Sequence, residues 1–236
     1  MSSVVTIKNL QKKYGKKTVL DGIDLTFQKG EIYGLIGNNG AGKTTMLRII
    51  CGLTRATGGE VTVLSEELTS KVRIGLLIER PALFYDMTAF QNLQAKACAL
   101  GIKHTKEELD ALLQLVGLHD TGKKDVLKFS QGMKQRLGIA MAMIGNPDLL
   151  VLDEPINGLD PQGVLDVRNI LERIHKERNI TIIISSHILD ELAKIATRFC
   201  ILNHGKIVID CTKEQFVKDC GDMDINEYYL QLINKT

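Results

Sequence analysis

Apolar residues recur along this chain with two different periods, and the switches between them outline its elements. Val4, Val5 and Ile7 lead into a turn at Tyr14–Gly15, and Val19, Ile23, Leu25 and Phe27 follow with partial alternation, which predicts strands. Gln28-Lys29-Gly30-Glu31 reads as a turn. Behind it, Ile32-Tyr33-Gly34-Leu35-Ile36 is an apolar strand feeding a glycine-rich loop and a helix from about Gly42 to Cys51.

From about Thr88 to Gly145 the rhythm becomes helical. Thr88 with Gln91, and Thr105 with Glu108, are capping-box pairs; after the second, Leu109, Leu112, Leu113 and Val116 recur at helical spacing. The α/β rhythm resumes at Leu149–Leu152, an all-apolar strand of the kind found in a parallel sheet covered on both faces. Asp160-Pro161 starts a helix to about Glu177, Ile180–Ile184 is a further buried strand, and Ser186 is placed to cap a helix through Ala196. Phe199–Leu202 and Lys206–Ile209 flank a hairpin turn at Asn203-His204-Gly205, and the tail Asp222–Thr236 reads as a short amphipathic helix.

Strands alternating with helices predict an α/β fold: a mainly parallel, doubly wound sheet, an N-terminal antiparallel β subdomain and an inserted helical subdomain. The expected division is residues 1–84 and 146–220 for the α/β core, 85–145 for the helical insertion and 221–236 for a helical tail.

Composition narrows the class. At 236 residues, 44% hydrophobic and 25% charged, the chain can build one large globular domain. Its balance of 30 Lys and Arg against 28 acids argues against nucleic acid as a partner, because phosphate-tracking surfaces need a marked basic excess. Lys12, Lys13, Lys16 and Lys17 around the Tyr–Gly turn read as a solvated hairpin rather than a basic patch. Five cysteines without metal-ligand spacing, and no signal peptide, are expected to be reduced structural thiols of a cytoplasmic protein. The longest near-apolar run, Leu137 to Gly145, is too short to cross a bilayer, so another chain has to supply any membrane span.

The glycine-rich loop carries the first chemistry. Gly37-Asn38-Asn39-Gly40-Ala41-Gly42-Lys43-Thr44 fits the pattern G-x-x-x-x-G-K-[ST] without a mismatch, between a buried strand and a helix. Glycines let backbone N–H groups wrap a phosphate closely, and the helix start adds positive potential. Lys43 is expected on the β- and γ-phosphates of a nucleotide, the Thr44 hydroxyl on Mg²⁺ and Thr45 near the α-phosphate. A second signal follows at Leu149–Leu152, whose strand ends in Asp153-Glu154-Pro155. Acids at the end of a buried strand need cationic partners, although a helix-capping turn would use one of them. Beside a phosphate loop, Asp153 is expected to hold Mg²⁺ and Glu154 to align and polarise an attacking water.

Ser130-Gln131-Gly132-Met133-Lys134-Gln135-Arg136, 23 residues before Asp153, resembles the signature motif of ABC ATPases, usually Leu-Ser-Gly-Gly-Gln. Asn157-Gly158-Leu159-Asp160 resembles their D-loop, His187 in Ser-Ser-His their switch histidine, and Tyr14 stands where the family stacks an aromatic on adenine. The resemblance spans nearly the whole chain in the family's order. It implies a P-loop NTPase core that binds and hydrolyses ATP with Mg²⁺, and His187 sensing the γ-phosphate. It also implies a head-to-tail dimer, of two copies or with a sister ATPase, in which Ser130 and Gly132 of one subunit close on the nucleotide of the other. A separate transmembrane permease would dock near the Glu79 loop and Leu83–Met87, placing the chain peripherally on the cytoplasmic face of the membrane. Ser130 is equally a residue type that caps helices, and Tyr14 one that packs in turns.

Two positions depart from the family. Phe129 and Gln131 replace Leu and Gly of the signature, while Ser130 and Gly132 remain. Glu79, in Ile74-Gly-Leu-Leu-Ile-Glu79-Arg-Pro81, stands where a glutamine is usual; no Gln lies between Gln28 and Gln91. A carboxylate there can ligate Mg²⁺ but needs Mg²⁺ or Arg80 to offset its repulsion of a triphosphate, about 4 kcal/mol at ~4 Å and an effective dielectric near 20. The alternative is an exposed acid with no role. A glutamate here, with a Ser-x-Gly-Met signature, is similar to bacitracin- and lantibiotic-type transporter ATPases. A non-transport ABC protein acting on nucleic acid or ribosomes is the second reading, weakened by the lack of a tandem cassette or basic extension. His104, His119, His175 and His204 are expected at the surface or in turns.

Overall fold

The computed structural model describes residues 2–63 and 73–234. An antiparallel three-stranded sheet, order β2-β1-β4, is built from β1 (Ser3–Tyr14), β2 (Lys17–Gln28) and β4 (Gly58–Val63). The main sheet has the order β5-β6-β7-β3-β8-β9. Its strands are β3 (Ile32–Ile36), β5 (Ile74–Leu77), β6 (Leu149–Asp153), β7 (Thr181–Ser186), β8 (Arg198–Asn203) and β9 (Lys206–Thr212). All neighbours run parallel except β9, which returns antiparallel along β8. The chain is α/β, as its alternating pattern predicts.

The all-apolar strands are explained by burial on both faces. Ile32 and Ile36 of β3, Leu150 and Leu152 of β6, and Ile182 and Ile184 of β7 join the cluster beneath the helices. The intervening Tyr33, Leu35, Leu149, Val151 and Ile183 face a second cluster shared with β1, β2 and the helix after the phosphate loop. Tyr33 ties the sheets together: its phenolic oxygen accepts from the Gln28 N–H at 2.7 Å, its ring stands edge-on to Phe27, and burial pushes its pKa up to about 12. Strands β4 and β5 are short and partly exposed, and their weak alternation leaves no strand signal in the sequence.

Helices α1 (Lys43–Ile50), α2 (Ala89–Ala99), α3 (Lys106–Leu115), α4 (Gln131–Ala142), α5 (Pro161–Arg178), α6 (Leu189–Ile195), α7 (Lys213–Cys220) and α8 (Ile225–Asn234) complete the chain. Both capping boxes form, with Thr88 and Thr105 accepting from Gln91 and Glu108 while those side chains reach back. Asp160 caps α5 with Pro161 at its first position. Ser186 does not cap α6: it ends β7, and its Oγ accepts from the Ile188 N–H at 2.9 Å in a local turn, leaving α6 without a side-chain cap. His104 is not a surface residue; its side chain is only 10% exposed, with Nδ1 3.5 Å from Glu108. Cys98 is exposed and so is not a packed structural thiol, whereas burial raises the thiol pKa of Cys51 to about 12 and of Cys211 to about 11. The last two residues of the tail lie outside the described residues. Among those described, no helix is long and apolar enough to cross a membrane.

Candidate functional site

Strand β3 lies between β7 and β8, so its carboxyl end opens where the chain's connections diverge to either side of the sheet, the place where open α/β sheets bind ligands. The loop that leaves it runs close against its neighbours. A side chain at Gly37 would put its Cβ 2.3 Å from the Leu202 carbonyl of β8, so only glycine fits. Gly42, the N-cap of α1, has φ +113°, a conformation that favours glycine and turns the loop into the helix.

Lys43 is buried, 5% exposed. Its Nζ donates to the Gly37 carbonyl at 2.6 Å and reaches the Asn38 carbonyl at 3.4 Å, so the ammonium sits inside the loop that precedes it. At 3.3 Å it also pairs with Oε1 of Glu154. The other oxygen of that carboxylate, Oε2, is 2.8 Å from Nδ1 of His187. Glu154 is therefore held between an ammonium and an imidazole, one from the loop and one from the end of β7.

Asp153 lies beneath. It is 3% exposed; its Oδ2 accepts from the Thr44 hydroxyl at 2.7 Å and its Oδ1 from the hydroxyl of Ser185. Ser185 also receives the Glu154 N–H, on Oγ at 2.9 Å and on its carbonyl at 3.2 Å. It thus orients both acids, and motif reading assigned it no part. The available signal is the buried pair Ser185–Ser186 following three isoleucines in β7, because buried hydroxyls require polar partners. Ser185→Ala is expected to cost about 1–3 kcal/mol of stability, because it strips a hydrogen bond from a buried carboxylate. In a thermal melt this reads as a Tm lower by several degrees; an unchanged Tm would show that the hydroxyl orients nothing.

Cavities flank the loop. One of about 270 Å³ is lined by Lys17, Val19, Asn38, Asn39, Gly40, Gly42, Lys43, Thr44, Thr45 and Glu154. Another, of about 490 Å³, shares Lys17, Val19, Asn38, Asn39 and Gly40 with it and adds Thr18, Ala41 and, from the β8–β9 hairpin, Asn203 and His204. Tyr14 lines neither; at 49% exposure it stands at the β1–β2 turn with the Lys12 ammonium 4.6 Å from its ring.

Glu79 lies at the surface beside α1. It does not line these cavities, its side chain is 63% exposed, and its carboxylate pairs with Arg48 of α1 rather than with Arg80. Glu79 and Glu154 share an unusual backbone: both are non-glycine residues with positive φ, +64° and +50°. Such conformations cost of order 1–3 kcal/mol each and cluster at functional sites.

Ser130 and Gly132 sit apart from the loop. Ser130 is exposed and its Oγ accepts from the Met133 N–H at 3.2 Å, capping α4, while the nearest neighbour to a Cβ on Gly132 would be Gly163 of α5 at 3.9 Å. Asn157 and Gly158 are likewise exposed, ahead of the Asp160 cap.

Residues 20–157 match the family described as ABC transporter. Over 213 residues the chain is 43% identical to the bacitracin transport ATP-binding protein BcrA of Bacillus licheniformis, covering 88% of this chain and 69% of that one. Over 209 residues it is 41% identical to the lantibiotic transport ATP-binding protein SrtF of Streptococcus pyogenes, covering 88% and 90%. Its fold superposes on a solved ATP-binding subunit of an ABC transporter with a TM-score of 0.82 and 27% identity, over 97% and 99% of the two chains.

Proposed function

The chain belongs to the ABC transporter family and is an ATP-hydrolysing subunit, and we propose that it powers a membrane transporter that moves, or protects against, peptide antibiotics of the bacitracin or lantibiotic kind. The observation that carries the catalytic part is the Glu154 carboxylate suspended between Lys43 and His187, directly above the Thr44–Asp153 pair.

In this reading the backbone N–H groups of Gly40 and of Gly42 to Thr44 surround the β- and γ-phosphates and Thr45 meets the α-phosphate, with Gly37, Asn38, Asn39 and Ala41 shaping the loop, the Ala41 N–H donating to the Asn38 carbonyl. The Lys43 ammonium turns from the Gly37 and Asn38 carbonyls to the phosphate oxygens. Thr44 Oγ1 and Asp153 Oδ2 form a hard-oxygen pair that suits Mg²⁺, which supplies charge neutralisation at the β- and γ-oxygens when bound. Glu154, relieved of Lys43, accepts a hydrogen bond from the attacking water, and His187 holds the carboxylate and meets the γ-phosphate. Tyr14 remains the candidate for the adenine face. Glu79 is proposed as an outlying member of the metal environment, its charge offset by Arg48 rather than Arg80.

Ser130 and Gly132 point to a second ATPase subunit. Among the described residues they make no contact with the phosphate loop, and an exposed helix start offering N–H donors suits a partner's γ-phosphate. The docking surface for a separate transmembrane subunit is proposed at Phe84, Tyr85 and Leu127, which are 52%, 47% and 67% exposed. They adjoin: the Leu127 N–H donates to the Tyr85 carbonyl at 2.8 Å. Clustered large apolar side chains at a surface mark a contact site. The loop between Glu79 and this patch is seated on α4, where Pro81 would lie 2.8 Å from a Cβ on Gly138, so docking there pushes on both. Peripheral placement at the cytoplasmic face of the membrane follows.

The chain's host provides the test. Deleting the chain is expected to lower the bacitracin or lantibiotic concentration that stops growth, with small hydrophilic drugs unaffected. The tagged chain is expected to purify from membranes with an integral membrane subunit, and Phe84→Glu to lose that subunit while keeping ATP binding. Unchanged sensitivity would remove the peptide-antibiotic assignment. Purification with RNA in a salt-sensitive manner, and with no membrane subunit, would favour the non-transport reading.

A further inference from the structure

The C-terminal helix reaches the phosphate loop. Tyr229 is the buried residue of α8, 9% exposed, and its phenol donates to Oδ1 of Asn38 at 3.3 Å, across 191 positions of sequence. Asn38 is the second residue of the loop, and its carbonyl is one of the two that receive the Lys43 ammonium. The side chain of Asn38 is exposed and takes no other described hydrogen bond, so the phenol is what fixes it.

Helix α8 is itself tied at both ends to elements that border the same site. Near its start, Asn226 Nδ2 donates to both carboxylate oxygens of Asp190, at 3.1 and 3.0 Å, in the first turn of α6. Asp190 lies three residues beyond His187. Near its end, the Ile233 carbonyl accepts from Asn203 Nδ2 at 3.1 Å. Asn203 ends β8, lines the larger cavity, and follows Leu202, whose carbonyl leaves no room for a Cβ at Gly37. A single helix therefore links the loop, the segment after the histidine and the strand end that confines the loop. Amphipathic packing alone would need none of these three polar ties.

We propose that α8 is a strap that holds the phosphate loop in its binding shape, with Tyr229 as a positioning residue acting through Asn38. The strap lowers the conformational freedom that the loop would otherwise lose on closing around a triphosphate. It rests on the phosphate-loop reading above and assigns to the tail a part in nucleotide affinity.

The test uses the full chain and a fluorescent ATP analogue with Mg²⁺. Tyr229→Phe removes only the hydroxyl and keeps the packing. It is expected to raise the Kd about 2- to 10-fold, the range of one net hydrogen bond. The KM for ATP should rise by a similar factor, with kcat changed less than about twofold and Tm lowered by no more than a few degrees. The double variant Asn38→Ala/Tyr229→Phe is expected to bind no more weakly than Asn38→Ala, because both remove one contact. Tyr228→Phe, whose ring packs on Phe216, is expected to leave the Kd unchanged. An unchanged Kd in Tyr229→Phe, equal weakening by the two tyrosine variants, additive effects in the double variant, or KM and kcat deteriorating together with a lower Tm would each overturn the strap. Failure of the unsubstituted chain to bind the analogue would instead remove the phosphate-loop reading, and the strap with it.

Discussion

Lys43→Ala is expected to weaken MgATP binding about a thousandfold, enough to abolish it at ordinary nucleotide concentrations. The ammonium is 5% exposed and is held inside the loop by the Gly37 and Asn38 carbonyls, so it meets incoming phosphates at short range and poorly screened. Two unit charges at ~4 Å with an effective dielectric near 20 attract by about 4 kcal/mol, and each 1.4 kcal/mol is a tenfold change in Kd. No other side chain supplies that charge from within the loop. Isothermal titration with MgATP measures it, with circular dichroism confirming that the variant folds. The substitution also leaves Glu154 without its 3.3 Å partner, so a modest loss of stability accompanies the binding defect. A Kd within fivefold of the unsubstituted chain would show that the phosphates bind elsewhere.

Glu154→Gln should give the complementary result: binding retained, hydrolysis lost, and an ATP-bound dimer accumulating. Glutamine keeps the length of the side chain and can still meet His187, while the backbone N–H of residue 154 keeps its bonds to Ser185. The variant cannot accept a proton as a carboxylate can, and a general base contributes about 10²- to 10⁴-fold. The substitution also frees Lys43 from its ion pair and removes a negative charge facing the γ-phosphate, both of which favour the ATP state. Steady-state ATPase assays should show kcat lower by that factor. Light scattering after size exclusion should show a species of twice the mass with MgATP and a single chain without it. A chain that stays monomeric with MgATP at high concentration would remove the sandwich arrangement, and one that hydrolyses normally would remove Glu154 as the group that activates water.

The contrast between Glu154 and Glu79 shows where motif reading reaches its limit. Both are glutamates in the left-handed backbone region near the carboxyl ends of neighbouring strands, and both looked like metal or water ligands. Glu154 turns inward because Lys43 and His187 receive it, whereas Glu79 turns to Arg48 at the surface. Nothing in the local sequence around Glu79 selects Arg48 over the adjacent Arg80.

Features whose physics is local are legible from residue order alone. The phosphate loop, the two capping boxes, the Asp160–Pro161 helix start and the fully apolar strands all depend on residues within a few positions of one another, and they stand where their patterns placed them. The remaining contacts are long-range. Ser185 reaches Asp153 across 32 positions, Glu79 meets Arg48 across 31, and Tyr229 meets Asn38 across 191. Such pairs follow from strand order and helix docking, which bring the ends of separate strands to one edge of the sheet. A pattern confined to neighbours along the chain has no term for that convergence.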